Sequence, residues 1–268
     1  MIRHDLPADE YHAHPALNAS TLKAVAKHPL AKVRYDLDHR RHSSAFDIGS
    51  AAHSVILEHD MSRLVAVDAD SWRTKAAQAE RDAAYAAGKT PLLSSDLATV
   101  EHMCDAVMEH DTAGPLLTGH RAEVSVFADL YGQSCKARLD AWHEDDGTGR
   151  PLIVDLKTTQ DADPETFART ALTYGYHQQQ AHYQDLMEAE TGKRPRFLFV
   201  LVEKAAPYLV SVVELDELFY DLGRQKNVEA AARWKHAVDT NEWPGYQGIN
   251  RVLAPMWALD ELEEEITV

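Results

Sequence analysis

Residues 135–143 (Cys-Lys-Ala-Arg-Leu-Asp-Ala-Trp-His) and 152–158 (Leu-Ile-Val-Asp-Leu-Lys-Thr) constrain this chain more than any other feature. In both, apolar and polar side chains alternate with a period of two, which sends successive side chains to opposite faces of a β-strand. Cys135, Ala137, Leu139 and Ala141 share one face of the first, and Lys136, Arg138 and Asp140 share the other. In the second, Leu152, Val154 and Leu156 oppose Ile153, Asp155 and Lys157. Residues 144–151, between them, have Asp-Gly at the centre and so carry hairpin-turn chemistry. A hairpin brings Asp140 and Asp155 to one edge of a sheet, with Lys157 beside them.

Two carboxylates and a lysine gathered at one point are costly, because like charges raise each other's pKa and burial penalises every charged form. A hard divalent cation relieves that repulsion. Mg²⁺ is commonly held by one or two carboxylates while it keeps waters and phosphate oxygens. A lysine placed there orients a water or stabilises charge developing on a phosphoryl oxygen. On a solvated hairpin the same residues make a surface ion pair worth roughly 0–1 kcal/mol, so Asp-x-Lys alone leaves both readings open.

At 268 residues, 45% of them hydrophobic and 26% charged, the chain can bury a sizeable core. No run of 18 apolar residues offers a membrane span, and the first residues lack the apolar stretch of a signal peptide. Two cysteines, Cys104 and Cys135, are too few for a disulfide framework or a four-cysteine metal site. A reducing, cytoplasmic setting is the expectation. The net charge of −16 argues against a nucleic-acid partner, although a local cleft holding metal ions can carry the opposite sign.

Elsewhere, residues 20–38 read as a helix with Leu22, Val25 and Ala26 on one side and a break at Pro29. His12 and His14 read as exposed loop residues. A small-residue helix over 46–59 puts His53 on the face that would be buried, where a core histidine and a metal ligand are both open readings. Helices follow at 71–87 and 93–111, then strands at 121–129, 133–143 and 151–158. A long helix over 164–191 places Gln179 and Tyr183 on one face. It leads to an apolar strand at 196–202, a partner strand at 208–214 and a helix over 215–239. The acidic run 260–265 reads as a solvated end. A crossover helix between the third and fourth strands requires those two to be parallel.

These pieces, in this order, resemble the PD-(D/E)xK nuclease superfamily, in its RecB-like branch and closest to the RecE-like exonucleases of phage recombination systems. The resemblance rests on residues 46–53 (Phe-Asp-Ile-Gly-Ser-Ala-Ala-His), 137–140 (Ala-Arg-Leu-Asp), 154–159 (Val-Asp-Leu-Lys-Thr-Thr) and 175–183 (Gly-Tyr-His-Gln-Gln-Gln-Ala-His-Tyr), and extends over nearly the whole chain. Leu139 stands where the motif has proline, and Asp155 where it often has glutamate. The iron–sulfur cysteines of some RecB-like relatives are absent.

The resemblance implies a restriction-endonuclease-like α/β core, a mixed five-stranded sheet flanked by helices with N-terminal helical decoration. The expected layout is one nuclease domain over 1–268: a helical part to 115 carrying His53, a core over 120–240, and a tail from 241. It implies metal ligation by His53, Asp140, Asp155 and the Leu156 carbonyl, with Lys157 positioning or activating the attacking water. Glu123 would bind a second metal or a water, or pair with Arg138; Gln179 and Tyr183 would brace the site or touch the DNA backbone. The implied activity is Mg²⁺-dependent (or Mn²⁺-dependent) exonuclease action on linear double-stranded DNA ends, 5′→3′, producing single strands for phage-type homologous recombination. A ring of three or four subunits follows, with Arg40, Arg41, Arg73, Lys75 and Arg138 as candidate channel residues and a single-strand annealing or recombinase protein as partner. An inactive DNA-binding member of the fold and a metal-dependent hydrolase of a non-nucleic substrate are the alternatives.

Overall fold

The computed structural model describes residues 1–39 and 44–254. Arg40, Arg41 and the acidic run 260–265 lie outside the described residues. The strands are β1 (Ile2–Arg3), β2 (Leu64–Val67), β3 (Thr90–Leu93), β4 (Arg121–Leu130), β5 (Gln133–His143), β6 (Leu152–Thr159), β7 (Arg196–Glu203) and β8 (Val210–Val213). The helices are α1 (Ala8–Ala13), α2 (Ala19–Lys27), α3 (Leu30–Asp38), α4 (Ser44–Glu58), α5 (Lys75–Ala86), α6 (Ser94–Glu109), α7 (Ala113–Leu116), α8 (Pro164–Tyr174), α9 (Tyr176–Thr191) and α10 (Glu217–Thr240).

The main sheet has the order β1-β4-β5-β6-β7-β8, one strand more than the expected five. The extra strand is β1, two residues paired antiparallel with β4 and too short to show a period. β4 and β5 are joined by Tyr131 and Gly132, both at positive φ (55° and 74°), the backbone of a two-residue hairpin turn matched to strand twist. β6 and β7 run parallel, as the intervening helices require, and β8 closes the far edge antiparallel.

Helices cover both faces of the sheet. On one side Leu22 and Val25 of α2, Leu186 and Met187 of α9, and Ala230 and Ala231 of α10 pack with Ala137, Ile153, Phe197 and Phe199. On the other, Ala52 and Ile56 of α4 and Val100 and Met103 of α6 pack with Val154, Leu156, Val200 and Val202. Burial on both faces is why β7 reads as an unbroken apolar run.

Three sequence expectations change. Ala26 is exposed, although Leu22 and Val25 beside it on α2 are fully buried. The helix expected over 164–191 is two helices, because Gly175 sits in the left-handed region (φ 70°, ψ 31°) and ends α8. β2 and β3, four residues each, form a separate parallel pair that short alternation did not reveal.

Candidate metal centre

β5 and β6 are hydrogen-bonded through His143↔Leu152, Trp142↔Ile153 and Ala141↔Val154, and there their pairing stops. Asp140 and Asp155 are the next residues along, so both stand at the opening of a fork. Asp140 bridges it by accepting a hydrogen bond from the Leu156 amide at 2.9 Å. Opposite Asp140 on β4, Glu123 falls between the pairs Ala122↔Ala141 and Val124↔Leu139 and has φ 55°. A side chain held at positive φ costs about 1–3 kcal/mol and persists where the surroundings over-determine it, which is common at functional sites.

The small residues of α4 let that helix approach β6: a Cβ at Gly49 would be in contact with Thr158 Oγ1 at 3.8 Å. One turn on, His53 Nε2 lies 3.0 Å from the Leu156 carbonyl oxygen. A carbonyl only accepts, so Nε2 carries the proton and Nδ1 keeps its lone pair, 3.6 Å from Asp140 Oδ2. Burial, and then the Lys157 charge, lower the His53 pKa and hold the ring neutral. His53, Glu123 and Asp140 thus present ligand atoms within 4.8 Å of one another. Burial, and then the neighbouring Asp155 charge, push the Asp140 carboxyl well above its ordinary range. An imidazole nitrogen and carboxylate oxygens at this spacing fit a divalent cation, whose charge would remove that cost.

Asp155 is held differently. Its side chain is fully buried, Gln179 donates to Oδ1 at 2.5 Å, and the Lys157 ammonium is ion-paired to Oδ2. Burial alone would lower the Lys157 pKa; Asp155 and Asp140 outweigh it and raise it, so the ammonium stays protonated. Tyr176 lies beneath that ammonium, 5.2 Å from ring centroid to Nζ. Arg138 joins its Nε to Glu123 and donates from Nη1 to the Leu6 carbonyl at 2.8 Å, tying Glu123 to the N-terminal segment. Tyr183, one turn after Gln179, lines a smaller hollow with Glu123, Arg138 and Asp140. The structure therefore brings all the sequence-predicted site residues to one fork, with His53, Glu123 and Asp140 as the tight cluster and Asp155–Lys157–Gln179 beside it. The candidate channel residues Arg73 and Lys75 are exposed and do not line the cavity at the fork.

Sequence reasoning missed Lys23 and Tyr176. Both line the cleft of about 1000 Å³ that holds His53, Glu123 and Lys157. Lys23 sits over Tyr176 at 5.8 Å, and burial followed by repulsion from Lys157 lowers its pKa to about 8. Nothing in a helix reading Ala-Ser-Thr-Leu-Lys singles this lysine out, because its proximity to Lys157 is purely tertiary.

A mixed sheet forked at two acids, with a lysine two residues after the second, defines a PD-(D/E)xK-type domain. The chain belongs to the family of the PDDEXK-like domain of unknown function (DUF3799), whose model matches residues 19–253. No curated protein matches it. Among solved structures, a protein of Eubacterium rectale assigned as an exonuclease superposes with a TM-score of 0.68 at 15% identity, covering 94% of this chain and 95% of that one. At that identity the likeness shows the fold. A phage related exonuclease from Haemophilus somnus 129PT aligns over 86% of this chain and 98% of that one, at 12% identity and a TM-score of 0.37, too loosely to bear on the argument.

Proposed function

We propose that this chain is a metal-dependent deoxyribonuclease that hydrolyses phosphodiester bonds of linear double-stranded DNA from its ends, 5′→3′. The observation that carries the reading is the His53–Glu123–Asp140 donor cluster at the same fork as the Asp155–Lys157 pair, with His53, Glu123 and Lys157 lining one cleft. His53 Nδ1, Glu123 and Asp140 would hold the ion, joined by Asp155 and the free lone pair of the Leu156 carbonyl. A divalent ion supplies charge neutralisation for a phosphoryl oxygen and a lowered water pKa. The carboxylates suit Mg²⁺, and the imidazole admits Mn²⁺.

The chain's own groups do the rest. Lys157, kept protonated, donates hydrogen bonds and positive charge rather than taking a proton. Gln179 fixes Asp155, and Arg138 fixes Glu123, so neither carboxylate must reorganise when a phosphate arrives. Lys23 offers a second cation across the cleft. The net charge of −16 supports a ring of three or four subunits with acids outside and cations within. Single strands released this way would serve a recombinase or annealing partner.

Linear duplex and covalently closed duplex, each incubated with the protein in Mg²⁺, Mn²⁺ or EDTA, test the reading. Loss of the linear form alone, with metal and not with EDTA, is expected. Intact linear DNA under every condition would favour a non-nucleic substrate or an inactive binding domain.

A further inference from the structure

Lys23 borders two cavities. Beyond the catalytic cleft it also lines a groove of about 680 Å³ between α2, the end of α8 and α10. The groove is basic, which is unexpected in a chain with 43 acidic and 27 basic residues. Lys23, Lys27, Lys226 and Arg233 line it against two acids, Asp36 and Glu229. Both acids are engaged elsewhere: Asp36 is ion-paired with Lys32 at 2.7 Å, and Glu229 accepts from Gln225 Nε2 at 3.0 Å. Lys27 and Lys226 are exposed and have no carboxylate within ion-pairing distance among the described residues.

An aromatic pair joins the groove to the site. Tyr174, 63% exposed at the groove wall, stacks on Tyr176 with ring centroids 5.9 Å apart and planes 26° from parallel. Tyr176 in turn carries Lys157 and Lys23 over its ring. Gly175, in the left-handed region between the two helices, is what turns α8 into α9 at this point. A row of unpaired cations tracking an exposed, already stacked aromatic ring is the construction that binds single-stranded nucleic acid, with backbone phosphates on the cations and bases on the ring. A duplex keeps its bases paired and stacked on one another, and leaves such a ring without a partner.

We infer that this groove binds an unpaired segment of the strand being cut, continuing past the cleavage site along Tyr176, Tyr174, Lys27 and Lys226. The inference rests on the nuclease reading above and adds the path and strandedness of the substrate. Fluorescence anisotropy in EDTA, with labelled oligothymidylate and with a labelled blunt duplex, tests it on wild type, Tyr174→Ala and Lys27→Ala/Lys226→Ala. All three side chains are exposed, so thermal melts of the variants should match wild type. For the single strand, Tyr174→Ala should weaken binding about tenfold. The double variant should flatten the slope of log K against log salt by about 1.4. Duplex affinity should change by less than about twofold in either variant, given that these positions contact only unpaired strand. Unchanged single-strand binding overturns the inference, and so does an equal loss for the duplex, which would make the groove a duplex track. Parallel cleavage assays in Mg²⁺ separate the two readings. A protein that cleaves linear duplex but binds single strands no differently in the variants loses the groove alone. One that shows the groove effects yet cleaves nothing loses the nuclease reading alone.

Discussion

Asp155 and Lys157 are a buried charge pair, and each leaves the other exposed to the cost of burial when it is removed. Strand alternation puts both side chains on one face, and the full burial of Asp155 there makes truncating either one costly. Stranding one partner of a buried pair typically costs about 3–5 kcal/mol, so both Asp155→Ala and Lys157→Ala should melt lower than wild type in EDTA. Metal separates them. In Lys157→Ala the remaining carboxylate can pass its charge to an added ion, and Mn²⁺ should restore much of the lost melting temperature. In Asp155→Ala it should restore little. Equal rescue of both would remove Asp155 from the donor set. A second residue prediction concerns His182, fully buried on α9, with Nε2 donating to the Lys136 carbonyl at 3.1 Å. Burial lowers its pKa to about 4. Because the unfolded histidine titrates near 6.5, falling pH protonates the unfolded chain first, and stability is lost between about pH 6.5 and about pH 4. Urea melts of wild type and His182→Gln at pH 7 and pH 5 should show wild type losing about 2 kcal/mol more than the variant. An identical pH dependence would contradict the assignment. The acids and Lys157 were legible in the sequence because strand alternation fixes their face. Lys23 was not, since only the fold brings α2 over Tyr176.

Among the elements, α9 is the one whose position sets the site, because it carries Gln179 and Tyr183. Its seat is defined by Gly223 of α10, where a Cβ would collide with the His177 carbonyl oxygen. That contact is with backbone, which cannot rotate away. Gly223→Ala should therefore force the two helices apart, cost about 1–3 kcal/mol or more in urea melts, and lower cleavage activity by shifting Gln179. Wild-type stability in this variant would mean the helices do not approach as described. The sequence signal at Gly223 is only a helix-weakening residue in a helix, worth about 1 kcal/mol against alanine, and its reason is packing. The division of α8 from α9 at Gly175 was hidden likewise, because Tyr-Gly-Tyr inside a long helical pattern does not announce a left-handed residue. By contrast, the parallel pairing of β6 and β7 followed from the crossover alone.

For the whole molecule, the excess of acid over base is the constraint any nucleic-acid function must meet. The described residues meet it locally, with Lys23, Lys157 and Lys204 in the cleft and Lys27, Lys226 and Arg233 in the adjoining groove. A closed ring would concentrate those cations further, and light scattering should report a mass of three or four subunits; a strict monomer would contradict the ring and leave the site untouched. The rate of nucleotide release from linear duplex DNA in Mg²⁺, compared between wild type and Asp140→Asn, tests the metal centre and its activity together. The asparagine keeps the shape and removes a charge that burial already disfavours, so the variant should fold with a melting temperature in EDTA at or above that of wild type. Metal-dependent release by wild type is expected, with a fall on the order of a hundredfold or more in the variant. A folded Asp140→Asn that releases nucleotides at the wild-type rate would contradict the metal-centre reading.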